Sequence, residues 1–311
     1  MEEKPFLTYD QQLQKLIDKG LSIHDYDSAK EALKRISYYS LISGYKTLFK
    51  DTSSGMYRRN ASFDEITALY LFDEELRAIF LKHILHIERK VKSLVSYYFC
   101  EVHGENQQEY LSPGNYTITR QNSRDVQRLI NALTHAISLP THYDYIVHYA
   151  TNYHNVPLWV AMNAITFGQL SKLYQYLPNS IQSRISREYP HVSERQLHQF
   201  LRVLTSCRNV CAHGERLYSF RINESIPDTI LHRKLNIPRV NGQYICGKSD
   251  LFSVVIALRY LLDPNEFKTV KRQLSSLIRN VLTQCPSLTE QQLYEQMGFP
   301  LNWSRVTRYK K

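Results

Sequence analysis

Between Ser62 and Gly104 the apolar residues of this 311-residue chain recur at intervals of three and four. Ile66, Leu69, Leu76, Ile79, Phe80, Ile84, Ile87, Val91, Leu94 and Val95 fall on one face of a helix, not on alternate faces of a strand. Ser62 and Glu65 stand three apart before the run, the spacing of a capping box, in which each side chain answers the other's free backbone N–H. Gly104 is the natural stop. A helix of this length is the spine of a core, so the chain is expected to be all-α. Only ten glycines in 311 residues fit that class.

Shorter patterns extend the expectation. Thr8 caps a helix carrying Leu13, Leu16 and Ile17 and ending at Gly20. Ser28 and Glu31 read as a second capping box, opening a helix through Leu33, Ile36 and Leu41 towards Gly44. Lys50–Ala61 and residues 105–118 read as loops. Helices are expected at 120–138 and 142–153, then from Leu158 to Leu177 with a break or bend near Gly168. Ser193 and Gln196 cap the next, which carries Leu197, Phe200, Leu201 and Leu204. Residues 222–248 hold Pro227, Pro238 and Asn241-Gly242, a loop or small hairpin, with helices following at 249–262, 265–284 and 288–297. The organisation is therefore read as a helical domain over 1–221 and a basic, mostly helical C-terminal extension over 222–311.

Composition narrows the class further. No stretch approaches 18 uninterrupted apolar residues, and the N-terminus starts acidic without an apolar segment, so neither a membrane span nor a secretory leader is expected. Five scattered cysteines, an odd number, argue for a reducing, cytoplasmic setting. The net charge is +10. Residues 1–180 hold about 19 basic and about 19 acidic side chains, so the excess lies in 181–311. A basic region confined to one part of the chain suits a polyanionic partner, or else merely aids solubility.

That region carries Ser206-Cys-Arg-Asn-Val-Cys-Ala-His-Gly-Glu-Arg-Leu-Tyr218, with Arg208 five residues before His213. Such a pair arises by chance about once in a chain of this composition, so spacing alone is weak. Five residues turn a helix by about 500°, leaving the two side chains about 140° apart. They converge only where the turn near His213 opens, which Gly214 permits, or where a second subunit supplies the other half.

Arg208-Asn-Val-Cys-Ala-His213 followed by Arg216-Leu217 resembles the signature of the HEPN (higher eukaryote and prokaryote nucleotide-binding) ribonucleases. More narrowly, the chain looks like the abortive-infection (Abi) proteins of the AbiD/AbiF type. Leu33–Tyr45, Phe63–Arg77 with Ile87-Glu88, and Pro157–Tyr174 resemble further blocks of that family in its order, spanning roughly residues 5–220. Asn163 departs from it, standing where many relatives carry an acidic residue. The resemblance implies a HEPN-like helical bundle, metal-independent RNA cleavage without a cofactor, and a homodimer whose two motif copies form a composite site. It also implies an anti-phage toxin neutralised by a small structured non-coding RNA. His213 is then the proton-transfer group and Arg208 the fork for phosphate oxygens, with Asn209 orienting His213 or binding the phosphate. Arg216 is expected on a neighbouring phosphate, with Arg202, Arg305 and Arg308 as further RNA contacts.

Blander readings stand beside these. Arg208 suits an ion pair with Glu215 or Glu194, and His213 a satisfied helix end. Cys207 and Cys211 are read as core residues, and His83 and His86 as packing or surface histidines, so no metal site is expected. The tail from Asn302 to Lys311 mixes Trp303 and Tyr309 with basic residues and is the best aromatic–basic stretch for RNA, or else a solvated end. The alternative functions are a non-cleaving RNA-binding protein that forms a stable ribonucleoprotein and, more remotely, a protein-interaction module.

Overall fold

The computed structural model describes residues 5–309. Lys310 and Lys311 of the basic tail, and the first four residues, lie outside them. The chain is all-α. Its helices are α1 (Tyr9–Ile17), α2 (Tyr26–Ile36), α3 (Phe63–His103), α4 (Gln107–Leu111), α5 (Ser123–Ile137), α6 (Asp144–Tyr153) and α7 (Leu158–Ala161). There follow α8 (Phe167–Tyr176), α9 (Asn179–Arg187), α10 (Glu194–Ala212), α11 (Ile230–Lys234), α12 (Leu251–Leu261), α13 (Pro264–Gln284) and α14 (Glu290–Met297). A two-stranded hairpin, β1 (Arg239–Val240) and β2 (Gln243–Tyr244), turns at Asn241-Gly242, where both residues have positive φ as a tight hairpin turn requires.

The 41-residue α3 is the spine, opened by the Ser62–Glu65 capping box. Its stripe from Ile66 to Phe99 is buried, and each such side chain contributes about 1.5–3 kcal/mol by leaving water. α10 and α13 lie along it, and α9 and α7 cover further parts. α12 is apolar all round, with Arg259 its one residue not fully buried; it sits against α10, α3 and α13. Helices from residues 222–311 thus pack on the same spine as those from the first two-thirds. Cys285 Sγ donates to Glu65 O (3.3 Å), and Ser287 N–H to the Glu65 carboxylate (2.7 Å).

Several boundaries differ from the sequence expectation. α2 begins three residues early, because the Asp25 carboxylate, a stronger acceptor than a hydroxyl, takes the Ser28 N–H (2.9 Å). It ends at Ile36. A π-type turn over Tyr39–Ser43 follows, with Leu41 and Ile42 both in the core. The break in 158–177 falls at Ile165-Thr166, where extended Ile165 precedes a new capping box between Thr166 and Gln169, so Gly168 lies within the first turn of α8. Residues 105–118, expected as loop, hold α4 and a short 3-10 turn, and α9 had no sequence expectation. The tail folds back: Trp303 and Val306 are buried in a 3-10 turn against α13, so Trp303 is not available to stack on RNA. No helix among the described residues is long and apolar enough to cross a membrane.

Candidate functional site

Arg208, Asn209 and His213 stand on the last two turns of α10. The helix is regular through Ala212, and His213 caps it with ψ near 2°, its N–H still bonding Asn209 O (2.9 Å). Reversal comes one residue later. Gly214 N–H bonds Cys211 O (3.3 Å) and Glu215 N–H bonds Val210 O (3.0 Å), the paired bonds that close a helix around a left-handed residue. Gly214 has φ +68°, a conformation cheap only without a Cβ. The turn therefore does not open at His213, and Arg208 and His213 share no hydrogen bond within the chain.

The segment after Gly214 is anchored from below. Asp73, fully buried on α3, accepts the Leu217 N–H (3.0 Å), the Tyr218 N–H (2.6 Å), the Tyr45 hydroxyl (2.7 Å) and Arg77 Nη1 (2.8 Å). Burial pushes the Asp73 carboxyl upward, and these donors with the Arg77 charge pull the other way. Arg77 also donates to Glu215 O (3.3 Å). Sequence reasoning gave these two residues no role, although one signal was present: a charged pair four apart interrupts the apolar stripe between Leu69 and Phe80.

The chemistry-bearing side chains are left free. His213 and Asn209 are exposed, and among the described residues neither side chain has a hydrogen-bond partner. Asn209 does not hold the His213 ring. Arg208 is half-buried, forms no ion pair with Glu215 or Glu194, and its Nε is buried without a partner. Cys207 and Cys211 are core residues, and burial raises the Cys207 thiol, with neighbouring Cys211 adding to the effect.

Beside this helix end opens a cleft of about 630 Å³ bordered by Arg35, Tyr39, Tyr70, Gly214, Arg216 and Arg221. Arg216 lies flat on Gly44 and donates to Gly44 O (2.8 Å); a side chain at residue 44 would meet it at 3.4 Å. Arg221 is spent on the carbonyls of Phe220 (2.8 Å) and Gln296 (3.0 Å). Arg35 is exposed with no partner among the described residues, and Tyr39 is 81% exposed. Neither was singled out from the sequence. The other expected contacts scatter. Arg202 is ion-paired with Glu224, Arg305 and Arg308 are exposed on the tail, and Asn163, in the 3-10 turn after α7, is turned back on that helix, donating to Trp159 O (3.2 Å).

Residues 31–219, more than half of the chain, match the family model described as Abi-like protein. The chain belongs to the Abi-like protein family. Membership suggests a role in abortive infection, and the matched span runs from α2 to the segment that Asp73 anchors. No curated protein and no solved structure matches the chain.

Proposed function

We propose that this Abi-like protein is a HEPN-type endoribonuclease of the AbiD/AbiF kind that needs no metal, acting as the toxin of an anti-phage system and held in check by a small structured non-coding RNA. One observation carries the reading: Arg208, Asn209 and His213 are presented without partners on a rigidly anchored helix end, beside a cleft with a free guanidinium and an exposed tyrosine. Exposed groups without a protein partner are hydrogen-bonded to water that a ligand can displace, and the Arg208 Nε is buried with no partner among the described residues.

RNA supplies its own nucleophile. The His213 imidazole takes the proton of a 2′-hydroxyl, whose oxygen attacks the adjacent phosphorus while the bond to the 5′-oxygen breaks. Arg208 donates to the non-bridging oxygens as charge builds on the five-coordinate phosphorus. The 5′-oxygen leaves with the proton that the imidazolium gives back, producing a 2′,3′-cyclic phosphate and a free 5′-hydroxyl. Within one chain Arg208 and His213 do not meet, which favours a homodimer in which each copy completes the other's site. Arg35 and Tyr39 suit a neighbouring phosphate and an unstacked base.

The test incubates purified protein with structured RNA in EDTA. Cleavage to cyclic-phosphate ends is expected, lost in Arg208→Ala and in His213→Ala and partly restored when the two variants are mixed. No cleavage by the wild type, or undiminished cleavage by either variant, overturns the catalytic reading. A defined RNA recovered intact, bound to a protein that never cuts it, would leave the non-cleaving ribonucleoprotein in its place.

A further inference from the structure

Two histidines that read as packing or surface residues from the sequence meet a carboxylate from 180 positions away. His83 and His86 stand one turn apart on α3 and face Glu266 in the first turn of α13. Glu266 Oε1 lies 3.1 Å from His83 Nδ1 and is also in contact with His86 Nδ1. All three potential ligand atoms lie within 4.8 Å of one another. The His83 side chain is 4% exposed, so solvent contributes little there.

The far edge of the His83 ring makes the arrangement informative. His83 Nε2 lies 3.4 Å from Gln273 Oε1, also on α13. With the Gln273 amide oxygen turned towards the ring, Nε2 is the donor and carries the hydrogen, an assignment that holds for this orientation of the amide. In a neutral ring that leaves Nδ1 as a lone pair aimed at a carboxylate oxygen, acceptor against acceptor. A positive species between them removes the conflict, and one oxygen serving two imidazole nitrogens calls for either two ring protons or one shared cation.

We propose that His83 Nδ1, His86 Nδ1 and Glu266 Oε1 bind a divalent transition ion of the zinc class. Two imidazoles and one carboxylate form a donor set suited to zinc, cobalt or nickel and poorly suited to magnesium or calcium. Bonds of about 2.0–2.1 Å in a tetrahedral site place neighbouring ligand atoms about 3.3 Å apart. The 3.1 Å His83–Glu266 spacing is close to that, the His86–Glu266 contact is tighter, and ion binding would move the His86 ring to even the three. Gln273 serves as the outer acceptor that fixes the tautomer of a ligating histidine. A cavity of about 30 Å³ beside His86, Glu266, Ile87 and Leu261 has room for a water in the fourth position. Lys90 borders the same cavity, with its ammonium 4.9 Å from the centre of the Tyr189 ring. None of the three ligands borders the cleft beside Arg216, so the ion acts as a cross-link between α3 and α13 rather than on RNA.

The test titrates the full-length chain, stripped with EDTA and dialysed, with zinc chloride by calorimetry and with cobalt chloride by visible absorption. One equivalent per chain, the visible bands of a low-coordinate cobalt site and a rise in Tm of roughly 5 °C with zinc are expected. His86→Ala removes a partly exposed ligand, and Glu266→Gln keeps the shape while losing the charge; each should weaken zinc binding about 10–100-fold. Absence of zinc binding by the wild type overturns the proposal. So does equal affinity in both variants, which places the ion elsewhere. If the variants lower Tm in EDTA while zinc adds nothing to the wild type, protons alone bridge the three groups and the metal site is refuted. RNA cleavage in EDTA is scored separately and decides nothing about this site.

Discussion

Within ten residues the chain treats its polar groups in two opposite ways. Leu217 and Tyr218 give their backbone N–H groups to buried Asp73, which also gathers Tyr45 and Arg77. His213, four residues before Leu217, is exposed with no side-chain partner among the described residues, as is Asn209. The contrast separates positioning from chemistry. Desolvated donors and acceptors are paired within the protein because leaving one unpaired costs about 1–3 kcal/mol, while the exposed groups keep water as a partner that a ligand can replace. The clamp fixes where the helix end points, and the free groups are what it points.

The largest effect expected from breaking the contrast is at the clamp. Asp73→Ala removes the charge partner of Arg77 and the acceptor of two buried N–H groups and the Tyr45 hydroxyl, and should cost about 3–5 kcal/mol, lowering Tm by roughly 5–8 °C. Thermal unfolding measures this, and an unchanged Tm would show that the anchor is dispensable. His213→Ala should do the reverse, lowering RNA cleavage about 10²–10⁴-fold while stability stays within about 0.5 kcal/mol. A large loss of stability in that variant would make His213 a structural residue after all.

Gly214→Ala probes the hinge between the two regimes. No atom lies within 4 Å of the added Cβ, so the cost is conformational alone, about 1–2 kcal/mol by denaturant titration. The smallest effect concerns the other histidine of α10. His198 is partly buried, and burial, then the Arg202 and Lys172 charges, brings it down to about 4. Its unfolded form takes up a proton first as pH falls, so its stabilisation is present above about 6.5 and lost towards 4. His198→Gln should flatten that part of the stability–pH curve by on the order of 1 kcal/mol, the solvent-exposed part of the ring reducing the full effect. An unaltered curve would place the acid sensitivity elsewhere.

Charge shows the same division between what is local and what is assembled. The count along the chain places the basic excess in 181–311, yet Arg35, the unpaired guanidinium of the cleft, comes from the balanced part. Arg202, from the basic part, is neutralised by Glu224. Trp303 looked like an RNA-stacking residue beside basic neighbours, but its large apolar ring is worth more in the core.

The sequence by itself determined the class, the caps at Thr8, Ser62 and Ser193, the length of α3, the hairpin at Asn241-Gly242 and the placing of Arg208 and His213 near a helix end with Gly214 just beyond. These depend on neighbours within a turn or two, so residue order carries them directly. Helix breaks at Ile36 and Ile165 were less legible, because packing of Leu41, Ile42 and the α8 start overrode local periodicity. Only the tertiary structure decided the Asp73 anchor, the cleft that joins Arg35 to Arg216, and the meeting of His83 and His86 with Glu266. Each joins residues more than 100 positions apart, and such contacts follow from how whole helices dock: a buried polar group takes whichever partner the packing brings within reach.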